Sequence, residues 1–454
     1  MAVAPPTSTV KAHSSQADDA TSPSTHAALN PPTRTREFLG APGAAAVFVL
    51  CHLVLLSFYI ACAPSTTCGQ GEGVTWLLTT SVKLLAGTYT LYNPTSLTLY
   101  ALWLLWLVAL FHIVPGRWVN GTRLRNGTTL SYKINALPSL IITLATCVAV
   151  LATVGRAPFL YLHDHMLYLV AAAFLLSAIA SAALYLASFR PGVLLALGGN
   201  TGNPVYDYFI GRELNPRVGQ FDIKCFTELR PGLIGWLVVN FCSAVAQYDR
   251  TGGTITDSMV LVQLFQAWYV FDSLANEPAV LTTMDIVTDG LGWMLTFGNL
   301  VWVPFSFSLQ ARYLALHPLQ LGVMRCLGIL ALQAIGYWIF RSANLEKDRF
   351  RKNPSDPAVQ HLAYISTKTG SRLLVSGWWG RARHINYLGD WIMSVAWCLP
   401  CGFGSVIPYL YPIYFIVLLI HRERRDEHKC HLKYGADWRR YRRIVPWRIV
   451  PYIY

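Results

Sequence analysis

A run of ionisable side chains directly follows the last apolar stretch of the chain. That stretch ends at Ile420, and residues 421–435 then mix cations with Glu423, Asp426 and Glu427. Five side chains of this run recur at helical spacing and would share one face of a helix: Arg422, Asp426, Cys430, Lys433 and Tyr434. Such a face could bind a polyanion beside a membrane. A positively charged membrane anchor would need only Lys and Arg, so both interpretations stay open.

A second basic pair lies further upstream, ahead of two tryptophans. Lys347 and Arg351 are one helical turn apart and could clamp phosphate groups together. Trp378 and Trp379 could stack on an aromatic ring, although tryptophan is also the commonest residue of a membrane belt. The polar segment 383–390 follows and could complete a binding surface.

Acidic residues accompany the end of one predicted membrane span and the start of the next. They follow Tyr269 at Asp272, Glu277 and Asp285. Carboxylates at membrane depth are energetically costly and usually mark function, so these positions indicate a site.

The composition places these residues in a polytopic membrane protein. Hydrophobic residues make up 54% of the chain and charged residues 13%, about half of what soluble domains carry. The net charge of +13 is concentrated in blocks beside apolar runs, which excludes a nucleic-acid binder. The ten cysteines are scattered and argue against a disulfide framework, while their spacing leaves a Cys62–Cys68 bridge open.

Hydrophobic runs of about 20 residues predict about ten membrane spans. The expected spans are 43–61, 98–115, 137–154, 166–188, 231–248, 258–275, 286–308, 320–340 and a hairpin of two short helices over 391–420. Lys83 interrupts a further segment, 74–93, and treating it as non-crossing places the basic loops on one side with both termini. The predicted fold class is therefore all-α and polytopic, with cytosolic termini.

This topology divides the chain into three parts. Residues 1–42 are polar, lack a cleavable signal peptide and are expected to form a disordered cytosolic tail. Residues 43–248 are expected to hold the N-terminal spans and a folded loop over 202–217, and residues 249–454 the C-terminal half with the candidate site.

Other common motifs give weaker signals. We find no Gly-x-Gly-x-x-Gly after a strand and no P-loop. Residues 163–165 and the group His428, Cys430 and His431 lack a full ligand set at the usual spacing, so no metal is expected.

Two segments resemble the signature patterns of the sterol reductase family. They are residues 202–217 and 419–435, and the resemblance extends over residues 40–454. Residues 221–232 resemble the form found in the 14-reductases, particularly the fungal ones.

The resemblance implies reduction of a sterol C14=C15 double bond in ergosterol-type synthesis, with NADPH, in the endoplasmic reticulum membrane. It implies a cytosolic cofactor pocket in the C-terminal half. Its cofactor residues correspond to Lys347, Arg351, Leu374, Trp379, Asn386, Asp390, Arg422, Cys430, Lys433 and Tyr434. Its proton-transfer pair corresponds to Tyr269 and Asp426. The sterol would enter from the bilayer, and other enzymes of sterol synthesis are candidate partners.

The chemistry of such a reaction is consistent with these residue types. An alkene conjugated only to another alkene must be protonated before it accepts a hydride. Tyr269 or a carboxyl group with a raised pKa could be the acid, and Asp272 or Glu277 could stabilise the positive charge that develops.

Three alternatives remain. A sibling reductase could act on a Δ7 or Δ24(28) bond instead. Residues 383–390 also resemble an element of membrane methyltransferases that use S-adenosylmethionine, but Ile385 replaces the proline of that element. A non-catalytic sterol-binding scaffold would be expected to lack the acids or the cofactor residues, and this chain has both.

Overall fold

The computed structural model describes residues 28–63, 66, 68 and 75–454, and this part of the chain is mainly helical. The helices are α1 Gly40–Ala61, α2 Thr75–Leu85, α3 Pro94–Ile113, α4 Ala136–Thr153, α5 Ala157–Asp164, α6 Met166–Ala187, α7 Pro204–Ile210, α8 Ile223–Leu229, α9 Pro231–Arg250, α10 Asp257–Ala275, α11 Met284–Val287, α12 Trp293–Phe297, α13 Val303–Ser306, α14 Leu309–Leu316, α15 Val323–Lys352, α16 Ile385–Cys398, α17 Leu410–Tyr434 and α18 Ala436–Ile444. The strands are β1 Arg117–Arg123, β2 Thr129–Ile134, β3 Arg217–Val218, β4 Phe221–Asp222, β5 Tyr364–Ser366 and β6 Arg372–Leu374.

Within the described residues, six helices are long and apolar enough to cross a membrane. They are Gly40–Ala61, Pro94–Ile113, Ala136–Thr153, Met166–Ala187, Ile223–Arg250 and Val323–Lys352. Each overlaps a predicted span. The finding supports a polytopic membrane protein without fixing the number of crossings at ten.

The segment 74–93 contains only a short helix. α2 has 11 residues and is about 16 Å long, roughly half of the hydrocarbon core of a bilayer. Its length agrees with the interpretation that this segment does not cross by itself.

The expected span 286–308 is not one continuous helix. It consists of α11, α12, a π-helical turn over Gly298–Trp302 and α13, and α14 follows it. Pro304 lies in the first turn of α13 and lacks a backbone N–H, which explains why the regular hydrogen-bond ladder is interrupted here.

The hairpin expected over 391–420 is present. α16 ends at Cys398, two 3-10 turns that contain Pro400 and Pro408 follow, and α17 then begins at Leu410. α17 continues without a break to Tyr434, so the basic run belongs to the same helix as the apolar arm.

The predicted all-α fold does not include the three antiparallel pairs of strands that the described residues form. They are β1–β2, β3–β4 and β5–β6, each two-stranded. All three lie in loops between helices, where alternating short runs are too brief to be distinguished from turns in the sequence.

Two large apolar clusters form the core. One surrounds Tyr59, Trp293 and Phe297, and the other surrounds Trp236 and Trp397. The span that contains α9 is 78% buried, whereas the span of α15 is 17% buried. α9 therefore lies at the centre of the molecule, and α15 lies at its periphery.

Part of the predicted tail packs against the folded loop. Asn30 donates to Val193 O and accepts from Leu195 N, both at 2.9 Å, and Thr33 N donates to Asn200 O at 2.8 Å. Ordered contacts therefore begin well before residue 42. The prediction for residues 1–27 lies outside the described part of the chain.

A disulfide joins Cys62 and Cys68 at the far end of α1. The sequence spacing left this bridge open, and the structure contains it.

Candidate active site

The folded loop over 202–217 holds together the segments that reach the site. The Asp207 carboxylate accepts from Thr201 N and Gly202 N, each at 3.0 Å, and so closes the loop on itself. Gly211 has a positive φ of 93°, and a Cβ there would lie 2.3 Å from Gly292 N. Only glycine permits this approach of the loop to the start of α12.

A buried lysine fixes the acidic segment beside that loop. Lys224 Nζ donates to Ile286 O at 2.8 Å and to Asp289 O at 2.7 Å. These bonds orient Asp285 and Asp289 towards α17. Arg422 Nη2 donates to Asp285 Oδ2 at 2.9 Å, and Arg425 Nη2 donates to Asp289 Oδ1 at 2.8 Å.

α15 and α16 cross closely enough to bring their polar ends together. A Cβ at Gly389 would lie 2.5 Å from Phe340 N and 2.7 Å from Gly336 O. Because neither glycine carries a side chain, the two backbones touch. Asn386 Nδ2 consequently donates to Asn344 Oδ1 at 3.2 Å.

Lys347 and Trp379 form a basic and aromatic wall at the end of α15. Lys347 Nζ lies 3.6 Å from the centroid of the Trp379 ring, and Trp379 Nε1 donates to Ala343 O at 2.8 Å. Leu374 and Phe350 pack beside the same ring. Arg351, one turn further on, is exposed and makes no ion pair or hydrogen bond with the residues that the structure describes.

Two acceptor atoms of this region are buried without a partner. They are Asn386 Oδ1 and Asp390 Oδ1. Buried polar atoms are nearly always hydrogen-bonded, so these two atoms indicate a donor that is supplied by a ligand.

Tyr269 lies where the apolar core meets this polar region. Its ring centroid is 5.1 Å from that of Trp397 and 6.1 Å from that of Trp236. Its hydroxyl group is close enough to the Asp390 carboxyl group for the two to interact electrostatically. Trp236 is held in place because its Nε1 donates to Gln266 Oε1 at 2.9 Å.

Asp426 has different neighbours from those that the proton-transfer assignment implies. Its Oδ2 lies 3.6 Å from His384 Nε2 and 3.7 Å from Cys430 Sγ. Burial first, and then nearby cations, of which Lys347 has the largest effect, lower the pKa of His384 to about 3. Imidazole is therefore neutral, and the contact with Asp426 is not an ion pair. The carboxyl group beside Tyr269 is that of Asp390.

The Cys430 thiol is a proton donor at this position and not a thiolate. Burial and then the neighbouring Asp426 carboxylate raise the pKa of Cys430 to about 12. A protonated thiol can donate to Asp426, which explains why a cysteine can pack here beside a carboxylate.

Lys433 and Tyr434 lie at the last turn of α17. Lys433 is exposed, with its Nζ 5.0 Å from the Tyr434 ring centroid. Tyr434 stacks on Trp438 with ring centroids 6.2 Å apart. These two residues form the outer rim of the region.

The structure does not bring Glu277 to this region. Both of its oxygens are engaged elsewhere: Arg230 Nη2 donates to Oε1 at 2.9 Å, and Ala136 N donates to Oε2 at 2.8 Å. Glu277 and Arg230 are each 1% exposed. The free backbone N–H at the start of α4 and the buried guanidinium of Arg230 both require a negatively charged partner. Glu277 is that partner, so its contacts are structural.

Asp272 is partly committed to an ion pair. Its Oδ2 lies 3.6 Å from Arg341 Nη1, and its Oδ1 accepts from Tyr337 Oη at 3.4 Å. It lies one turn from Tyr269 on α10 and adds negative charge near that hydroxyl group.

Glu228 and Asn299 belong to the same region, although neither stands out in the sequence. Asn299 Nδ2 donates to Glu228 Oε2 at 2.8 Å, and Glu228 and Asp285 are close enough to interact electrostatically next to Arg422. Asp285 was noticed among the membrane-depth acids. Nothing in the spacing of Glu228 and Asn299 predicts their contact.

A cavity of about 700 Å³ lies at the other end of α15 and α16, away from these residues. Leu319, Ile329, Leu399 and Phe403 are among its lining residues. Ile329 and Lys347 are separated by roughly 27 Å along α15, so this cavity is not the predicted cofactor pocket.

The chain matches one known protein family over most of its length. A family described as "Ergosterol biosynthesis ERG4/ERG24 family" matches residues 37–454. The chain belongs to this family. The ERG4/ERG24 match includes every residue of the candidate site and begins at Glu37, which pairs with Arg425 at 2.9 Å.

Relatives within the ERG4/ERG24 family carry a specific name. The "Delta(14)-sterol reductase erg24" of Schizosaccharomyces pombe is 52% identical over 420 residues, which cover 92% of this chain and 97% of the relative. The Candida albicans "Delta(14)-sterol reductase ERG24" is 43% identical over 94% of this chain and 99% of its own length. The mouse "Delta(14)-sterol reductase TM7SF2" is 46% identical over 92% of this chain and 97% of its own length.

Proposed function

We propose that this chain is a Δ14-sterol reductase that reduces the C14=C15 double bond of a Δ8,14-sterol with NADPH. The names of its relatives support this assignment. The structural observation that carries it is the Tyr269–Asp390 pair, which lies between an aromatic membrane core and a basic helix end.

The first step is proton transfer to C15. The Tyr269 hydroxyl is the proton donor, and Asp390 orients it and replaces the proton. The surrounding Trp236 and Trp397 rings exclude water from this position.

Protonation leaves a tertiary, allylic cation at C14. The faces of Trp397 and Tyr269 can stabilise this charge through their ring quadrupoles, and Asp272 adds negative charge one turn away. NADPH, when bound, would supply a hydride to this cation.

The residues of the C-terminal half fit NADPH. Lys347 and Arg351 supply cations for phosphate groups, and the exposed Arg351 suits the 2′-phosphate that distinguishes NADPH from NADH. The unpartnered acceptors Asn386 Oδ1 and Asp390 Oδ1 suit amide and hydroxyl donors of the cofactor. Arg422, Lys433 and Tyr434 form the remainder of the proposed cofactor-binding surface.

The membrane arrangement that accompanies this function has ten spans. α10, the interrupted α12–α14 segment, α16 and the apolar arm of α17 add four to the six apolar helices. The sterol enters sideways from the bilayer, and the protein resides in the endoplasmic reticulum membrane.

The disulfide supports the orientation with both termini in the cytosol. α1 begins near Glu37, which contacts Arg425 of the basic end, and about 33 Å further on it ends beside Cys62. Disulfides persist in oxidising compartments such as the lumen of the endoplasmic reticulum. The Cys62–Cys68 bridge therefore favours a lumenal end of α1 and a cytosolic basic end.

The test is NADPH-dependent turnover of purified protein on three sterols that carry a Δ8,14 diene, a Δ7 bond or a Δ24(28) bond, with products identified by mass spectrometry. We expect loss of the 14-ene alone. Reduction of another bond would contradict the specificity, and absence of turnover on all three would contradict the proposal as a whole.

A further inference from the structure

A second cluster of basic side chains lies on the opposite face of α17 from the candidate cofactor residues. Arg424, His428 and His431 are spaced at i, i+4 and i+7 and therefore share a face. With Arg442 of α18 and Arg448 of the terminal segment they line a cavity of about 540 Å³. Neither the proposed chemistry nor the proposed cofactor uses this cavity.

The carboxylates around the cavity are already neutralised. Arg442 Nε lies 3.2 Å from Glu427 Oε1, and Arg448 Nη1 lies 2.9 Å from Glu423 Oε2. The side chains of Arg424, His428 and His431 make no hydrogen bond or ion pair within the part of the chain that the structure describes. These three side chains are available to an anion that enters from outside.

The Arg424 end of the cavity lies close to the end of the apolar arm of α17, where lipid headgroups are expected. Ile449 of the terminal segment packs in one cluster with Phe415 and Leu419, which belong to the apolar arm of α17. Arg424 follows Ile420 by four residues, or about 6 Å, which is similar to the thickness of one headgroup layer.

Two exposed apolar side chains flank the cavity on the same segment. Tyr452 is 85% exposed and Ile453 is 80% exposed, and the two directly precede Tyr454, which lines the cavity. Exposed aromatic and aliphatic side chains beside basic residues are typical of a membrane contact.

We propose that this cavity binds the headgroup of an anionic phospholipid. Arg424, His428 and His431 contact the phosphate, while Tyr452 and Ile453 insert at the boundary of the acyl chains. The apolar flank favours a lipid over free phosphate, because inorganic phosphate gains nothing from it.

The experiment measures binding of phosphatidic acid to the protein in phosphatidylcholine nanodiscs, with saturating NADP⁺ present to occupy the cofactor region. The test variant combines Arg424→Gln, His428→Gln and His431→Gln. The control combines Arg439→Gln, Arg440→Gln and Arg443→Gln, which removes exposed cations of α18 that do not line the cavity. Arg424→Gln alone serves if the triple variant does not fold.

We expect saturable binding that the test variant weakens roughly fivefold or more and that the control leaves close to wild type. Equal losses in both variants would overturn the proposal in favour of a diffuse basic surface. Displacement by comparable concentrations of inorganic phosphate would overturn the lipid assignment, as would equal affinity for phosphatidic acid and phosphatidylcholine.

Discussion

The hydroxyl group of Tyr269 lies at the boundary between aromatic rings and ionisable groups. The Trp397 and Trp236 rings pack against its ring, and the Asp390 carboxyl group interacts electrostatically with its hydroxyl group. A weak acid in such a position can protonate an alkene only if its conjugate base is supported and its proton is replaced. The two side chains should therefore act as a unit.

Tyr269→Phe removes only this hydroxyl group. We expect kcat for the Δ8,14-sterol to fall on the order of 10²–10⁴-fold, since the proton donor is lost while the ring is retained. Rapid-mixing measurement of single-turnover rates is the check. Tyr414→Phe, which removes the hydroxyl group of a ring 5.0 Å from Trp302, should behave like wild type. An active Tyr269→Phe enzyme would exclude this residue as the acid.

The roles of Asp390 and Asp426 can be separated by their kinetic signatures. We expect Asp390→Asn to lower kcat, because Asp390 contacts Tyr269, and Asp426→Asn chiefly to raise KM for NADPH, because Asp426 contacts His384 and Cys430. Steady-state kinetics with varied NADPH distinguishes them. Loss of kcat in Asp426→Asn with unchanged KM would restore the proton-transfer role that the family resemblance gives to Asp426.

Arg351 should determine the preference for the phosphorylated cofactor. We expect Arg351→Gln to raise KM for NADPH about tenfold and to leave KM for NADH nearly unchanged, since one charge-assisted contact is lost. Arg349→Gln is the matched control, because Arg349 is equally exposed on α15 but two residues away and on another face. Equal effects of both substitutions would indicate a general electrostatic contribution.

Spacing in the sequence predicted which candidate site residues lie together only where those residues belong to the same helix. Arg422, Asp426 and Cys430 share a face of α17 as their spacing required. The Arg422–Asp285 contact joins residues 137 positions apart, and no local pattern can show it. Glu277 illustrates the opposite error, since its membrane depth indicated function but its partners Arg230 and Ala136 N make it structural.

At the scale of elements, the crossing of α15 and α16 determines how the site is assembled. Gly336 and Gly389 allow the backbones to touch, and this contact places Asn386 beside Asn344. The binding surface thus depends on two positions that carry no functional group.

Gly389→Ala should destabilise this crossing. A Cβ would lie 2.5 Å from Phe340 N, so the helices must separate, at a cost of about 1–3 kcal/mol. We expect a lower Tm in detergent and weaker NADPH binding. Gly328→Ala, on the other helix of the crossing, α15, is the control, because its Cβ would have no neighbour within 4 Å. A normal Tm for Gly389→Ala would mean that the crossing tolerates separation.

Hydropathy predicted where the long helices lie better than it predicted where helices are interrupted. Seven predicted spans coincide with single helices, because length and apolar composition decide them. The 286–308 segment failed as a continuous span because residues 288–292, which include Gly290 and Gly292, are not helical. The strand pair β1–β2 escaped prediction because β1 carries no apolar alternation, although β2 alternates over its six residues.

At the scale of the whole molecule, the disulfide and the basic end lie at opposite ends of α1. Sealed microsomes test the resulting orientation. We expect protease to remove a C-terminal tag without detergent, while maleimide reaches Cys62 and Cys68 only after reduction and permeabilisation, because the lumen is oxidising and enclosed. Protection of the tag until detergent is added would invert the topology.

The ion pair between Glu37 and Arg425 joins residues 388 positions apart. At about 5–20 residues per second, the ribosome delivers Arg425 roughly 20–80 s after Glu37 has emerged. Asp289, the other partner of Arg425, lacks its cation for the last part of that interval, while the 136 residues that separate the two are made. The nascent protein therefore passes through a long stage in which its spans are inserted but the ion pairs of Arg425 have not formed. A ribosome that stalls in α17 would release a chain that lacks these ion pairs.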